Sequence, residues 1–104
     1  MYTFEKINNI GPEDIEKKVA ILGIITGIKS DENRDRLEVE NGSFKIEVSN
    51  DEKVHIDVLS KVIVFGTVKI TPKGIMIYSD SIIQLKNSNP KLIAKFIEKI
   101  EKYN

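Results

Sequence analysis

The longest run of apolar residues in the chain covers positions 18–29, and both residue parities are apolar in it up to Ile25. Its β-branched residues favour a strand over a helix, and Gly23 and Gly27 would each weaken a helix by about 1 kcal/mol. In a strand, the same glycines permit a bend or the close approach of another backbone. The run therefore predicts a long, bent strand that is buried on both faces, as in a small closed barrel. A parallel α/β core strand is the alternative, but no alternation of strands with long helices follows.

A hairpin is predicted next. Residues 36–40 and residues 44–48 each alternate apolar with polar positions, and Asn41-Gly42 stands between them. Asn-Gly between alternating segments is the strongest short hairpin signal, and the alternation indicates an antiparallel pair with one face in solvent. By its parity with Ile46, Phe44 is assigned to the core.

Two further strands complete the pattern. A second long apolar segment covers 61–71 with Gly66 in its middle, and 75–86 returns after a Thr-Pro-Lys-Gly sequence typical of a type I turn. The polar interruption at 79–81 is interpreted as a bulge, and a turn of helix is predicted in the connection at 54–59. Five strands, of which the first and fourth are long and bent at glycine, predict an OB-fold barrel over residues 18–86.

Both ends of the chain are predicted to lie outside the barrel, which makes the fold all-β with a terminal helix. Residues 1–17 form an N-terminal extension, in which Pro12 and the acids after it begin a short helix that reaches about Lys17. Asn89 caps and Pro90 opens an amphipathic α-helix over 90–103. Its apolar residues fall on one arc of about 140°; they are Leu92, Ile93, Phe96, Ile97, Ile100 and Tyr103.

This C-terminal apolar stripe permits two interpretations. The helix folds back on its own barrel, or it offers the stripe to helices of partner subunits. A closed five-stranded barrel can fill its core with its own side chains, so the helix is not needed to complete it, and both interpretations remain open.

Composition narrows the function of this single domain. The 16 Lys and Arg balance the 16 Asp and Glu, so no global positive field gathers nucleic acid. There is no cysteine, and His55 is the only histidine, so neither a metal site nor another cofactor is expected. The acids at 51, 52 and 57 are interpreted as a solvated loop. No serine stands at an interpretable spacing from the histidine, and no phosphate-binding glycine loop is present, so no enzyme is expected.

The hydropathy pattern also bears on the compartment. No apolar run approaches the roughly 18 residues of a membrane span, and the N-terminus lacks the layout of a signal peptide. We therefore expect a soluble intracellular protein with no membrane partner, in the cytoplasm or nucleoid, or in the nucleus of a eukaryote. The abundance of lysine and isoleucine fits an archaeon or another thermophile, although an AT-rich genome produces the same bias.

Four basic residues are candidates for binding nucleic acid, because they lie around the two loops that flank the groove of this fold. They are Lys29, Arg34, Lys69 and Lys73. Solvated lysines at strand ends are an equally open interpretation. Tyr78 either offers a ring beside these basic residues or, as is more common, is a half-buried barrel tyrosine. The outward face of the predicted hairpin carries three acids against two bases, namely Arg36, Glu38, Glu40, Lys45 and Glu47. We expect weak binding of single-stranded DNA by the isolated protein.

Two segments carry a family resemblance. The order Ile15, Glu16, Lys17, Val19, Gly23, Ile25 and Ile28 resembles the smallest subunit of replication protein A, as does Val62-x-Val64-Phe65-Gly66-x-Val68. Chain length and a single helix after the last strand are also similar, and the smallest partner of the telomere-capping trimer is a second similar subunit. The resemblance implies a non-catalytic, architectural OB-fold subunit of a single-stranded-DNA-binding heterotrimer, with roles in DNA replication and repair. It also implies assembly with other OB-fold subunits through the C-terminal helix.

Two other functions remain open. The chain is alternatively a stand-alone OB-fold domain that binds single-stranded DNA or RNA directly. It is otherwise an adaptor in another OB-containing complex.

Overall fold

The computed structural model describes residues 1–30, 34–51 and 56–85. The strands are β1 (Thr3–Phe4), β2 (Lys18–Ser30), β3 (Asp35–Asn41), β4 (Phe44–Asn50), β5 (Lys61–Thr71) and β6 (Gly74–Gln84). Two 3₁₀ turns, Ile7–Asn9 and Pro12–Asp14, precede β2, and the described residues contain no α-helix. The helix predicted over 90–103, with its apolar stripe, lies outside the described residues.

Strands β2 to β6 close into a barrel. Their order is β2-β3-β4-β6-β5, and β5 returns to pair with β2. The β4–β6 pair is parallel, and the other barrel pairs are antiparallel. Strand β2 serves two neighbours because it is long: its first half pairs with β5 and its second half with β3. This is the five-stranded closed barrel of the OB-fold, as the sequence predicts.

Glycines allow the barrel to bend and its strands to approach closely. A Cβ on Gly23 would stand 2.5 Å from Cγ1 of Val39 and 2.9 Å from the carbonyl oxygen of Glu40. A Cβ on Gly66 would collide with the carbonyl oxygen of Tyr78. The register shifts between Ile25 and Gly27 in β2, and again opposite Gly66, where Asp80 is the extra residue of β6. The predicted bends and the bulge at 79–81 are therefore confirmed.

The interior of the barrel is filled by the chain's own side chains. Its buried cluster consists of Ile7, Val19, Ile21, Ile25, Leu37, Val39, Ile46, Val48, Ile56, Val62, Val64, Val68 and Ile77. Ile10 and Ile15 of the N-terminal extension pack against this cluster. The barrel thus has a complete core within the described residues.

A second apolar layer lies on the outer side of the wall formed by β2, β5 and β6. Because side chains alternate along a strand, the residues between the interior positions point outward. On these three strands, the outward residues are mostly apolar and form what is called the apolar outer face. They are Ala20, Leu22, Ile24, Ile63, Phe65 and Ile83. Ile63 lies between Leu22 and Ile83 in register and is 0% exposed. Ile24 is 37% and Ile83 is 38% exposed.

The N-terminal helix is shorter than predicted. It was expected to reach Lys17, but only the 3₁₀ turn Pro12–Asp14 forms. The backbone turns away at Glu16, where φ is 73°. The Glu16 N–H then donates to the Val68 carbonyl at 2.8 Å, and the Val68 N–H donates to the Lys17 carbonyl at 3.0 Å. Pairing with β5 therefore ends the helix.

The assignment of Phe44 to the core is wrong, because its side chain is 51% exposed. Its parity matches that of the buried Ile46, but Phe44 pairs with Asn41 at the tip of the hairpin, beyond the end of the packed interior. The turn of helix predicted at 54–59 is not seen in its described part, residues 56–59. There, the Leu59 N–H donates to the Ile25 carbonyl at 2.7 Å, so the backbone of this segment is hydrogen-bonded to β2.

Candidate nucleic-acid interface

The outward side of β3, β4 and β6 forms a charged face that is ordered by strand register. Its charged residues are Arg36, Glu38, Glu40, Lys45 and Glu47. Strand register places them in transverse rows across β3, β4 and β6. The rows are Arg36-Ser49-Tyr78, Glu38-Glu47-Met76 and Glu40-Lys45. The acids therefore occupy the middle of the face.

Glu38 is the most constrained of these acids. The Thr26 hydroxyl donates to its Oε1 at 2.9 Å, and Lys45 Nζ lies 3.2 Å from the same oxygen. The hydrogen bond from Thr26, followed by the contacts with Lys45, lowers the pKa of Glu38. The same pair raises the pKa of Lys45, first through its hydrogen bond to Glu38 and then through the charges of Glu38 and Glu40. The only lysine of the face is thus engaged by acids.

Two neighbouring cavities lie on the charged face, and together they are called the groove. One cavity of about 320 Å³ is lined by Lys73 and Lys45 together with Glu38 and Glu47. A second cavity of about 130 Å³ shares the same two glutamates and extends to Lys29 and Arg36. The groove has cationic ends and an acidic middle, so a phosphate chain along its whole length would meet two carboxylates directly.

The four predicted basic residues have different surroundings. Lys29 is exposed and pairs in register with Arg36, and Lys73 lies in the turn at the other end of the groove. Lys69 is held by Glu16, whose two carboxylate oxygens lie 2.8 and 3.0 Å from its Nζ. Lys29 and Lys73 therefore line the groove, and Lys69 is committed to an ion pair at its edge.

Arg34 occupies the least expected position. Its guanidinium carbon lies 4.6 Å from the centroid of the Tyr78 ring, and its Nη2 lies 3.4 Å from Oδ2 of Asp51. Tyr78 is half-buried, as predicted. A ring beside the basic residues was one interpretation of Tyr78, but its contact with Arg34 in particular was not predicted, because the β3–β4 and β4–β6 pairings together bring the two residues close.

The described residues were also searched for a metal site and for a membrane-spanning helix. Among them, no group of three His, Cys, Asp or Glu is arranged to hold a metal ion, and His55 lies outside the described ranges. In residues 1–30, 34–51 and 56–85, no helix has the length and apolar character needed to cross a membrane.

Comparison with known proteins shows similarity in structure. No family model matches the sequence, and no curated protein matches it. A chain of a replication protein A heterotrimer bound to ssDNA superposes with a TM-score of 0.65 and 20% identity, over 77% of this chain and 66% of that chain. A chain of the S. pombe Stn1-Ten1 complex superposes with a TM-score of 0.66 and 19% identity, over 83% of this chain and 69% of that chain.

An aspartyl-tRNA synthetase from Entamoeba histolytica is similar over a smaller part of its length. It superposes with a TM-score of 0.72 and 18% identity, over 80% of this chain, but this chain spans only 21% of the synthetase. At these identities, the neighbours have the OB-fold in common with this chain. The predicted resemblance to the OB-fold chains of replication protein A and of a telomere-type complex is confirmed at the level of the fold.

Proposed function

We propose that this protein is a non-catalytic OB-fold subunit of a single-stranded-DNA-binding complex similar to replication protein A. Its role is mainly architectural, and it joins other OB-fold subunits of a hetero-oligomer through the helix predicted over 90–103. One observation carries the proposal: the barrel is similar to chains of two complexes and spans 66% and 69% of their lengths. In the synthetase, by contrast, it corresponds to 21% of a larger chain.

The electrostatics of the charged face support an architectural role over strong independent binding. Most of the affinity for a nucleic acid comes from cations that neutralise phosphates. Here, Glu38 and Glu47 occupy the middle of the groove, and Lys45 and Lys69 are paired with acids. We expect the isolated protein to bind single-stranded DNA with a dissociation constant in the micromolar range or weaker.

The packing of the barrel supports the assignment of the C-terminal stripe to partners. The interior is filled by strands and by the N-terminal extension, so no further helix is needed to complete it. The described chain ends at Leu85, whose N–H donates to the Lys61 carbonyl at 2.8 Å. Lys61 pairs in register with Ile24, which is exposed, as is Ile83, so an apolar surface lies at this end of the barrel.

The decisive experiment removes the stripe and asks what is lost. Deletion of residues 90–104, or Phe96→Glu combined with Ile100→Glu, should leave a folded, cooperatively melting barrel. Neither variant should co-purify with the other OB-fold subunits that mass spectrometry identifies with the tagged wild type from native cells. Lys95→Glu combined with Lys99→Glu changes the polar side of the same helix and should still co-purify.

Two results would contradict the proposal. An unfolded truncation would mean that the stripe belongs to the barrel's own core. Wild-type protein that is recovered without any OB-fold partner would reject the architectural role. The stand-alone alternative makes a separate claim, which fluorescence anisotropy with a labelled oligonucleotide at about 100 mM salt decides, because a nanomolar dissociation constant would favour direct binding.

A further inference from the structure

Tyr78 is the aromatic residue at one end of a row of the charged face, and Arg34 lies over its ring. The guanidinium is positioned by two contacts: 4.6 Å from its central carbon to the ring centroid and 3.4 Å from Nη2 to Asp51. The Arg34 side chain is nevertheless 37% exposed. The guanidinium is thus held beside the ring while the side chain remains partly open to solvent.

A guanidinium in this position has the properties of a stacking surface. It is planar and permanently charged, and unpaired bases of single-stranded nucleic acids stack on arginine planes as well as on aromatic rings. Because Tyr78 and Asp51 already restrict its orientation, a ligand loses less entropy in ordering it. The Asp51 side chain is 57% exposed, so solvent screens its charge and the positive field of Arg34 is only partly offset.

The neighbouring residues suit the backbone that would accompany a stacked base. Arg36 and Lys29 continue the row that Tyr78 begins, in the order Tyr78, Ser49, Arg36, Lys29. Three strand spacings separate the ends of this row, about 14 Å, and it contains no carboxylate. The acidic row of Glu38 and Glu47 lies beside it.

We propose that Arg34, held over Tyr78, is a base-stacking platform for single-stranded nucleic acid, and that the phosphate backbone follows the row toward Lys29. This inference rests on the proposed function, since it assigns the weak nucleic-acid contact expected there to particular residues. It places that contact away from Lys69, which Glu16 engages, and away from the turn that contains Lys73.

The test separates stacking from charge. Full-length protein is titrated, by fluorescence anisotropy and by NMR at oligonucleotide concentrations up to the millimolar range, with oligo-dT and with an abasic strand of equal length. The wild type should prefer oligo-dT. Arg34→Lys keeps the charge but removes the plane, and it should weaken oligo-dT binding about tenfold, in line with the energy of one stacked base, while the abasic strand binds as before.

Matched variants identify the surface. Tyr78→Phe keeps the ring and should bind as the wild type does, whereas Tyr78→Leu should behave like Arg34→Lys. Lys6→Gln combined with Lys61→Gln removes two exposed charges away from the groove and should leave the preference for oligo-dT unchanged. Thermal melts report whether each variant is folded, and Arg34→Lys carries the test if Tyr78→Leu is not.

Three outcomes would overturn the inference: equal binding of the two strands by the wild type, an Arg34→Lys variant that binds oligo-dT normally, or no binding at all. None of them affects the proposed architectural role, which depends on co-purification with OB-fold subunits. Failure of that co-purification, in turn, leaves the oligonucleotide titrations interpretable.

Discussion

The charged face and the apolar outer face lie on adjoining parts of the outside of one barrel and share β6, yet they relate to solvent in opposite ways. On the charged face, side chains remain in water and are ordered by ion pairs such as that between Lys45 and Glu38 at 3.2 Å. On the apolar outer face, Ile63 is 0% exposed although it points away from the interior. Strands β3 and β4 alternate in sequence, whereas β2 and β5 are apolar at both parities. A continuous apolar run in this barrel therefore marks a wall that is apolar on both sides, with Ile63 buried on its outer side and Ile24 and Ile83 exposed there.

The largest effect should come from a charge placed on the apolar outer face. Ile63→Asp removes a buried side chain that contributes roughly 1.5–3 kcal/mol and buries a carboxylate without a partner. We expect the free energy of unfolding to fall by more than about 3 kcal/mol in urea denaturation, or the protein not to fold.

Thr67→Asp is the matched control for that substitution. It lies on the same strand and the same outer side, but it is opposite Lys18 and Tyr78 and only half-buried. It should change stability by no more than about 0.5–1 kcal/mol. Equal effects of the two substitutions would show that the two faces do not differ in burial.

The next largest effect on stability is expected at a bulge. The β5–β6 bulge lies at Gly66, and the β2–β3 bulge lies at Gly27. Gly66→Ala would place a Cβ against the Tyr78 carbonyl and 2.6 Å from Cγ2 of Ile77, which forces β5 and β6 apart at a cost of about 1–3 kcal/mol.

Gly27→Ala supplies the comparison on the charged side. Its nearest neighbour would be the Cβ of Glu38 at 3.7 Å, an ordinary contact, so stability should be unchanged or rise by a few tenths of a kcal/mol. Thermal denaturation of both variants measures the difference. A Gly27→Ala variant as unstable as Gly66→Ala would mean that both bulges are equally tight.

These two faces also show what the sequence could and could not predict. Alternation, glycine placement and turn residues predicted the barrel, the bulge at 79–81 and the β3–β4 hairpin, because each is a local signal. The exposure of Phe44 was missed, since parity assigns a side chain to a face but does not say where along the strand the core ends. The strand β1 was missed because two residues, Thr3–Phe4, carry no periodic signal. The Arg34–Tyr78 contact depends on a pairing of distant strands, which no local pattern contains.

A smaller effect is expected where the N-terminal extension crosses toward β6. The Tyr2 hydroxyl donates to Asp80 at 2.6 Å, and its ring lies 5.3 Å from that of Phe65. Tyr2→Phe removes only the hydrogen bond and should cost about 0.5–1 kcal/mol at this exposed site. Tyr78→Phe is the control on the charged face and should leave stability unchanged.

The contribution of Tyr2 should depend on pH. The hydrogen bond to Asp80, then burial and the charge of Asp80, raise the pKa of Tyr2 from 10.0. A raised pKa means that the folded state favours the neutral phenol, so the stabilisation is complete below pH 10.0 and is lost as pH rises through the folded-state pKa. The difference between the wild type and Tyr2→Phe should therefore shrink in alkaline solution, and a constant difference would argue against the bond to Asp80.

The smallest effect is expected from an acid of the charged face. Because Thr26 and Lys45 lower the pKa of Glu38 from 4.5, its carboxylate stabilises the fold above that pH, and this contribution is lost as pH falls through the folded-state pKa. Glu38→Gln should melt slightly below the wild type at neutral pH and together with it in acid. Glu47→Gln removes the like charge opposite Glu38 and should not lower the melting temperature. Identical pH profiles for all three proteins would mean that Thr26 and Lys45 do not constrain Glu38.

The seam between β2 and β5 has a consequence for how the chain reaches its native state. It joins Lys18 to Thr67 and Ile24 to Lys61, whereas the β3–β4 and β5–β6 hairpins pair residues that are neighbours in sequence. Local hairpins form in microseconds, but pairing of distant strands must first offset the entropy of closing a long loop. Refolding should therefore end with closure of this seam. Until it closes, two long apolar strands have unpaired edges, and the newly made chain is most prone to aggregate.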